Sequence, residues 1–370
     1  MILAVTPNPA LDVTYHLAEV VWDGSNRVGR VAARAGGKGV NVARVLAALG
    51  QPAAVLGPLG GRTGDTVRED LAAAGLRDAT FAVCGETRRT VTVVDKASGE
   101  TTVFNEAGPE LTGADWAHLL DAYDALLPGA RAVALCGSLP PGFPVTAYAE
   151  LVRRAREAGR PVLLDASGAA FREGLAAGPD LVKPNADELR EATGEADPAQ
   201  AVAALAARLQ AAGGDAVVAS LGAQGLLAAT RAGWWRARLP YAIRGNPTGA
   251  GDAGVAALLA GPDSGRAWPD RLAEAVAWSA SAVAAPEAGS VDRTTYVTAR
   301  AHVIVGGVEP PCAAGGEGAP ARSVPLPALA ADARKGSGTP DAAPVPASPI
   351  APTPPTPSTA KDRHAPHRHG

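Results

Sequence analysis

Residues 132–164 read AVALCGSLPPGFPVTAYAELVRRAREAGRPVLL, and their pattern decides the fold. Residues 132–136 are a short apolar run closed by Gly137, as in a strand buried on both faces. The rigid loop Gly137-Ser138-Leu139-Pro140-Pro141-Gly142 follows, then a helical period over residues 147–158 and a second apolar run at 161–164. Strand, helix and strand in that order belong to an α/β domain with a mostly parallel sheet. Outward from this unit the alternation continues. Residues 2–5, 53–56, 180–182 and 216–219 read as further buried strands, and residues 40–49, 66–74 and 199–211 as helices.

Two stretches break the alternation. Residues 11–31 and 87–104 have strand character with no helix after them. Within the second, Asp95-Lys96-Ala97-Ser98-Gly99-Glu100 is a polar turn between two β-rich runs, a hairpin signal. These stretches predict a small second sheet, built from about residues 11–35 and 87–105, that covers a cleft as a lid. After residue 307 the composition shifts to Pro, Ala, Ser, Gly and Thr. Residues 1–307 are therefore expected to form the folded domain and 308–370 a disordered tail, whose His364, His367 and His369 read as solvated rather than metal-binding.

Composition bounds the function. The chain has 370 residues, 47% of them hydrophobic, and a formal net charge of -3, enough for a sizeable core. Near-neutral charge and 4% aromatics argue against nucleic acid or an anionic membrane as the main partner. Cys84, Cys136 and Cys312 are scattered and form no C-x-x-C pair, so neither a disulfide framework nor a zinc site is indicated. Cys84 and Cys136 sit in apolar runs and read as small packed hydrophobes. The N-terminus has no basic region and its apolar run is too short for a signal peptide. No stretch approaches the roughly 20 apolar residues of a membrane span. The expectation is a soluble cytoplasmic protein. His16, His118 and His302 lie in no motif, so hydrolytic nucleophile chemistry carries little weight.

Three motifs carry chemistry. The strongest is Asn246-Pro247-Thr248-Gly249-Ala250-Gly251-Asp252, ahead of the apolar run 253–260. Its glycines let backbone amides turn inward, the run behind them reads as a helix, and a helix N-terminus suits an anion. An aspartate there is placed to take a proton from a hydroxyl, although the same letters also describe a capping Asp after a glycine turn. The second is Lys183-Pro184-Asn185-Ala186-Asp187-Glu188, at the carboxyl end of a strand, where α/β sheets bind ligands. Lys183 is placed to reach a nucleotide phosphate. Asn185 and Glu188 share a helix face and can organise Mg²⁺ through oxygens and water, or form a capping box. The third is Ala35-Gly36-Gly37-Lys38-Gly39-Val40-Asn41, which opens the helix at 40–49 but matches neither a Walker A loop nor a dinucleotide fingerprint. Only five lysines occur in the chain, so Lys38 and Lys183 inside motifs are informative.

Weaker signals are Ser138 in the rigid loop, the post-strand turn Ser220-Leu221-Gly222-Ala223-Gln224-Gly225, and Asp12 near the end of the first strand. Each also reads as an ordinary turn residue.

In order, the set Asn-Pro-Ala-Leu-Asp, Gly-Gly-Lys-Gly-x-Asn, Thr-Arg, Gly-Ser-Leu-Pro-Pro-Gly, Lys-Pro-Asn-x-x-Glu, Ser-Leu-Gly-x-x-Gly and Gly-Ala-Gly-Asp resembles the ribokinase-like sugar kinases. Within them it looks most like the phosphofructokinase B branch containing 1-phosphofructokinase and tagatose-6-phosphate kinase. The resemblance covers about residues 1–307. It implies a three-layer α/β/α domain with a small β-sheet lid, MgATP as phosphoryl donor, a sugar or sugar phosphate as acceptor, and a homodimer paired through the lids. Asp252 matches the family's catalytic base, and the amides of Gly249, Ala250 and Gly251 its anion hole. Asn185 and Glu188 match the Mg²⁺ pair, and Lys183 with residues 220–225 the nucleotide contacts. Asp12, Gly37, Lys38, Asn41 and Ser138 match the sugar side, and Arg88 a position that binds a phosphosugar's phosphate. Some relatives carry a second arginine on the returning lid strand, where this chain has Thr102-Val103-Phe104; Arg27 is the candidate substitute. The expected reaction is phosphorylation of a ketohexose phosphate. Its rivals are a kinase of an unphosphorylated sugar or nucleoside, and a non-catalytic sugar-phosphate sensor.

Overall fold

The computed structural model describes residues 1–261 and 266–311. Strand β1 (Ile2–Val5) is followed by β2 (Ala10–Leu17), β3 (Arg30–Gly36) and helix α1 (Lys38–Ala48). Next come β4 (Ala53–Leu56), β5 (Pro58–Leu59), α2 (Gly61–Ala73), β6 (Arg77–Asp78) and β7 (Phe81–Ala82). The hairpin β8 (Arg88–Asp95) and β9 (Thr101–Asn105) precedes α3 (Gly113–Leu126), β10 (Ala132–Cys136), α4 (Ala147–Glu157) and β11 (Val162–Asp165). Then follow α5 (Gly168–Ala176), β12 (Leu181–Val182), α6 (Ala186–Thr193), α7 (Pro198–Ala211) and β13 (Ala216–Ser220). The described chain closes with β14 (Leu226–Thr230), β15 (Gly233–Arg238), α8 (Ala250–Ala260), α9 (Trp268–Ala284), α10 (Arg293–His302) and β16 (Ile304–Gly307).

The main sheet has ten strands in the order β16-β15-β14-β13-β12-β11-β10-β1-β4-β6. From β6 to β13 every neighbour is parallel, and β14 to β16 extend the sheet antiparallel. Alternating side chains feed two cores. Leu3 and Val5 of β1 and Val133 and Leu135 of β10 pack toward Tyr123, Leu151 and Leu205 of α3, α4 and α7. Ile2, Ala132 and Ala134 face the other way, toward Val45, Val255 and Leu272 of α1, α8 and α9. Both faces of the sheet are covered, which is why its strands are continuous apolar runs. β15 and β16 carry almost no buried positions, so the hydrophobic pattern does not mark them.

A separate four-stranded sheet has the order β3-β2-β8-β9. Its first segment, where the sequence showed strand character over 11–31, is two strands joined by the exposed loop 18–29. The β8–β9 turn is tied by Asp95, whose Oδ1 accepts from the Ala97 and Ser98 amides at 2.9 and 3.3 Å. The strand pattern puts Asp12, Thr14, Thr90 and Thr92 on one face and Val13, Tyr15, Val91 and Val93 on the other.

Cys136 is buried in β10, as expected, but Cys84 is exposed. The chain leaves the two-residue strand β7 just before it and turns at Gly85 (φ 91°), which carries Cys84 to the surface while Phe81 and Val83 pack on the core. Cys312 and the remainder of the predicted tail, including His364, His367 and His369, lie outside the described residues.

Candidate active site

The carboxyl ends of the parallel strands lie along one edge of the main sheet, where ligands of open α/β folds bind. A cleft of ≈ 790 Å³ opens there, lined by Asp12 and Arg88 of the small sheet, by Lys38, Asp165 and Lys183, and by Ser220 and Gly225 after β13.

Its floor includes the start of α8. Gly249 takes φ 86° as N-cap, a left-handed conformation that favours glycine. The helix begins at Ala250, three residues earlier than the apolar run suggested, so Asp252 lies inside the first turn. Ala250 N–H donates to the Pro247 carbonyl at 3.2 Å. Gly251 is packed so that a Cβ on it would lie 3.3 Å from Lys183 Nζ. Asp252 is only 6% exposed and accepts a hydrogen bond from Asn41 Nδ2 at 2.9 Å. Burial pushes its carboxyl up to about 6, the Asp165 charge adds to this, and Lys38 opposes it.

Lys38, in the first turn of α1, donates to Asp165 Oδ1 at 2.9 Å and Glu188 Oε1 at 3.4 Å. Burial works against its charge, but the Asp165 and Glu188 carboxylates prevail and hold the ammonium above its ordinary range. Lys183 Nζ lies 3.8 Å from Asp165 Oδ2. Burial alone would raise the Asp165 carboxyl, yet Lys183 and Lys38 together keep it below its usual value.

Asn185 and Glu188 form the capping box the sequence allowed. Asn185 Oδ1 accepts from the Asp187 and Glu188 amides, both at 2.9 Å, and Glu188 Oε2 accepts from Asn185 N–H at 2.9 Å. No group of three or more His, Cys, Asp or Glu among the described residues is arranged to cage a metal. The oxygens of this pair already hold protein donors and border the cleft, a donor set suited to a hydrated Mg²⁺ held mainly by phosphates.

At the opposite end, Asp12 sits beside the Gly37 amide, Thr90 and Arg88. Burial lifts its carboxyl to about 6 against the pull of Arg88. Gly36 has no room for a side chain, since a Cβ would overlap the Asp12 carboxylate. Arg88 donates from Nε to the Asn8 carbonyl at 3.1 Å and from Nη1 to Thr90 Oγ1 at 3.2 Å.

Most of the predicted site residues thus meet on one cleft: Asp12, Gly37, Lys38, Asn41, Arg88, Lys183, Asn185, Glu188, Ser220, Gly222, Ala223, Gly225 and residues 249–252. Three do not line it. Leu221 packs on the core, Gln224 accepts from Arg236 at 2.8 Å, and Ser138 accepts from Asn8 Nδ2 at 3.2 Å. Arg27 lies on the exposed loop 18–29, away from the cleft lining. Asp165 was missed by the motif reading, as were Thr90 and Asn105 in the lining. Asp165 had a usable signal, being an acid that directly follows an apolar strand at its carboxyl end.

Comparison with known proteins agrees with this geometry. The model of the pfkB family of carbohydrate kinases matches residues 8–295. Phosphofructokinase-2 from Escherichia coli, solved with potassium, is 27% identical, with TM-score 0.74 over 81% of this chain and 98% of that one. The same enzyme solved with fructose-6-phosphate gives 27%, a TM-score of 0.72 and the coverages 81% and 98%. A Thermotoga maritima protein described as a possible 1-phosphofructokinase is 27% identical, with TM-score 0.75 over 84% and 100% of the two chains. The three-layer domain with its small separate sheet is accordingly the ribokinase-like fold, and the chain belongs to the pfkB family of carbohydrate kinases.

Proposed function

We propose that this sugar kinase transfers the γ-phosphoryl group of ATP to a hydroxyl of a ketohexose phosphate. Fructose 1-phosphate at its C6 hydroxyl is the first candidate and tagatose 6-phosphate at C1 the second. The observation that carries the reading is Asp252: a buried carboxylate in the first turn of a helix, on a cleft with Arg88 and Asp12 at one end and the turn after β13 at the other.

The sugar hydroxyl gives its proton to Asp252, its oxygen bonds to the γ-phosphorus, and the bond to the ADP oxygen breaks. Asn41 fixes the carboxylate, and the Gly249 and Gly251 amides with Lys38 stabilise charge on the moving group, the Ala250 N–H being held by the Pro247 carbonyl. Lys183 and the turn at 220–225 hold the nucleotide. Asn185 and Glu188 would hold Mg²⁺ through water, and the ion, when bound, neutralises phosphate charge. The small sheet serves as a lid that excludes water. Arg88 binds the phosphate already on the sugar.

One observation favours a free sugar instead. Arg88 already donates to Asn8, Thr90 and the Glu106 carbonyl, and β9 presents Val103 and Asn105 to the cleft rather than a cation. A coupled ADP-release assay with MgATP against fructose 1-phosphate, tagatose 6-phosphate, fructose 6-phosphate, fructose and ribose decides. Preference for one phosphosugar, lost in Arg88→Ala, supports the proposal; preference for a free sugar overturns the Arg88 role, and no turnover on any sugar favours a sensor.

The working unit is a homodimer paired through the lids, and the cytoplasm, with its ATP supply, is its place. The dimer reading is supported by the lid's outward face, where Val31 is 58% and Phe104 54% exposed.

A further inference from the structure

Asp165 is the most buried acid in the cleft, 2% exposed, and the reaction as written gives it no step. It ends β11, and its backbone carbonyl accepts from Gly137 N–H at 2.9 Å, which pins it to the loop after β10. Its two oxygens serve two lysines from different elements. Oδ1 takes Lys38 of α1 at 2.9 Å, and Oδ2 faces Lys183, which follows β12, at 3.8 Å. Lys183 is itself 3% exposed. Its ammonium lies beside Gly251, and its Cδ is 3.8 Å from where a Gly254 side chain would begin. One carboxylate therefore anchors both ammonium groups next to the first turn of α8.

We propose that Asp165 is a positioning residue for phosphoryl transfer, bridging Lys38 and Lys183 and aiming both at the start of α8, where the transferred group must pass. The inference rests on the kinase reading and deepens it. In this role Asp165 acts through the two lysines. It acts on Asp252 as well. The charged and titratable groups facing Asp252 are Lys38 from α1, Cys136 from β10, Asp165 from β11 and Lys183 after β12, while α9 contributes the uncharged Ser279 beside Gly254. Among them Asp165 raises the Asp252 carboxyl and the lysines lower it. Removing the Asp165 charge leaves the lysines unopposed, so both changes move Asp252 downward.

The test is steady-state kinetics of the full chain, Asp165→Asn and Asp165→Glu, from pH 5 to 9, with thermal melts. Asp165→Asn is expected to lower kcat by about 10²-fold, as for loss of one preorganised electrostatic group. KM for the sugar should stay within about 3-fold, because Asp12 and Arg88 are untouched. The acid limb of kcat/KM should shift from about pH 6 toward the ordinary carboxylate range. Asp165→Glu keeps the charge with altered reach; it should keep the acid limb in place and lose about 10-fold in kcat. A folded Asp165→Asn with parental kcat and an unmoved acid limb overturns the proposal. If Asp165→Asn does not fold, Asp165→Glu decides, and parental kcat in it overturns the proposal. An unmodified chain that releases no ADP with any sugar overturns the kinase reading and this inference with it, whereas an active parent with an indifferent Asp165 overturns the inference alone.

Discussion

Burial lifts the Asp252 carboxyl from its ordinary 3.8 to about 6, with Asp165 adding to the effect. A base works only when deprotonated, so kcat/KM should be flat above about pH 7 and fall about tenfold per pH unit below pH 6. Asp252→Asn should lower kcat by about 10²–10⁴-fold, the span typical of general base catalysis. Stability should move the other way. The folded-state value lies above the unfolded one, so the folded protein binds this proton more tightly. That contribution is fully present below pH 3.8 and is lost as pH rises through 6. At pH 7 the charged Asp252 therefore weighs against folding, by up to about 3 kcal/mol for a two-unit shift. Asp252→Asn should melt above the parent at pH 7, and an equal or lower melting temperature would contradict this account. Gly36 makes a complementary case on the sugar side. Gly36→Ala drives its Cβ into the Asp12 carboxylate, so KM for the sugar should rise well above the parental value while KM for ATP stays put.

In the proposed reaction the starts of α8 and α6 both take part, and each is also a structural device. At α8, Gly249 has φ 86°, and a Cβ there would sit 3.0 Å from Gly289 N and 3.1 Å from Ala288 Cα. Gly249→Ala should destabilise the protein by about 1–2 kcal/mol through the left-handed backbone, and it should depress kcat more than either KM. At α6, the capping box hides any functional role of Asn185 and Glu188 from a simple stability test. Asn185→Ala removes the cap and should destabilise by about 1 kcal/mol. Glu188→Gln keeps an acceptor for Asn185 N–H but loses the charge, so its melting temperature should stay near the parent's while the Mg²⁺ concentration for half-maximal rate rises. If Glu188→Gln leaves the Mg²⁺ dependence unchanged, the pair is a cap and a partner of Lys38, with no part in holding Mg²⁺.

Across the whole molecule, the cleft draws its lining from the main sheet's carboxyl edge and from the small four-stranded sheet. Residues lining the cleft run from Asp12 to Val283, and the family match ends at residue 295. A chain ending at residue 311 should therefore keep parental kcat and KM. No helix among the described residues is long and apolar enough to cross a membrane, and the small sheet exposes Val31 and Phe104 on its outward face. Phe104→Glu with Val31→Asp should convert a dimer to monomer in sedimentation velocity; a double variant that sediments with the parent would refute lid pairing. The parallel strands were legible from the sequence because each is buried on both faces and so reads as an unbroken apolar run. The motifs 35–41, 183–188 and 246–252 were legible because glycine, proline and cap residues act locally, within a few bonds of where they stand. Other features depended on distance in space rather than along the chain. β15 and β16 bury too little to leave a pattern, and the turn at Gly85 carries Cys84 to the surface. Asp165 reads alone as an acid at a strand end; it became the anchor of Lys38 and Lys183 only when three strand ends converged. The sequence by itself determined the layers and the loops that bear the chemistry, since both follow from local composition. The tertiary structure decided which charges meet and at what burial, because Coulomb energy and desolvation depend on separation and solvent access that no single segment encodes.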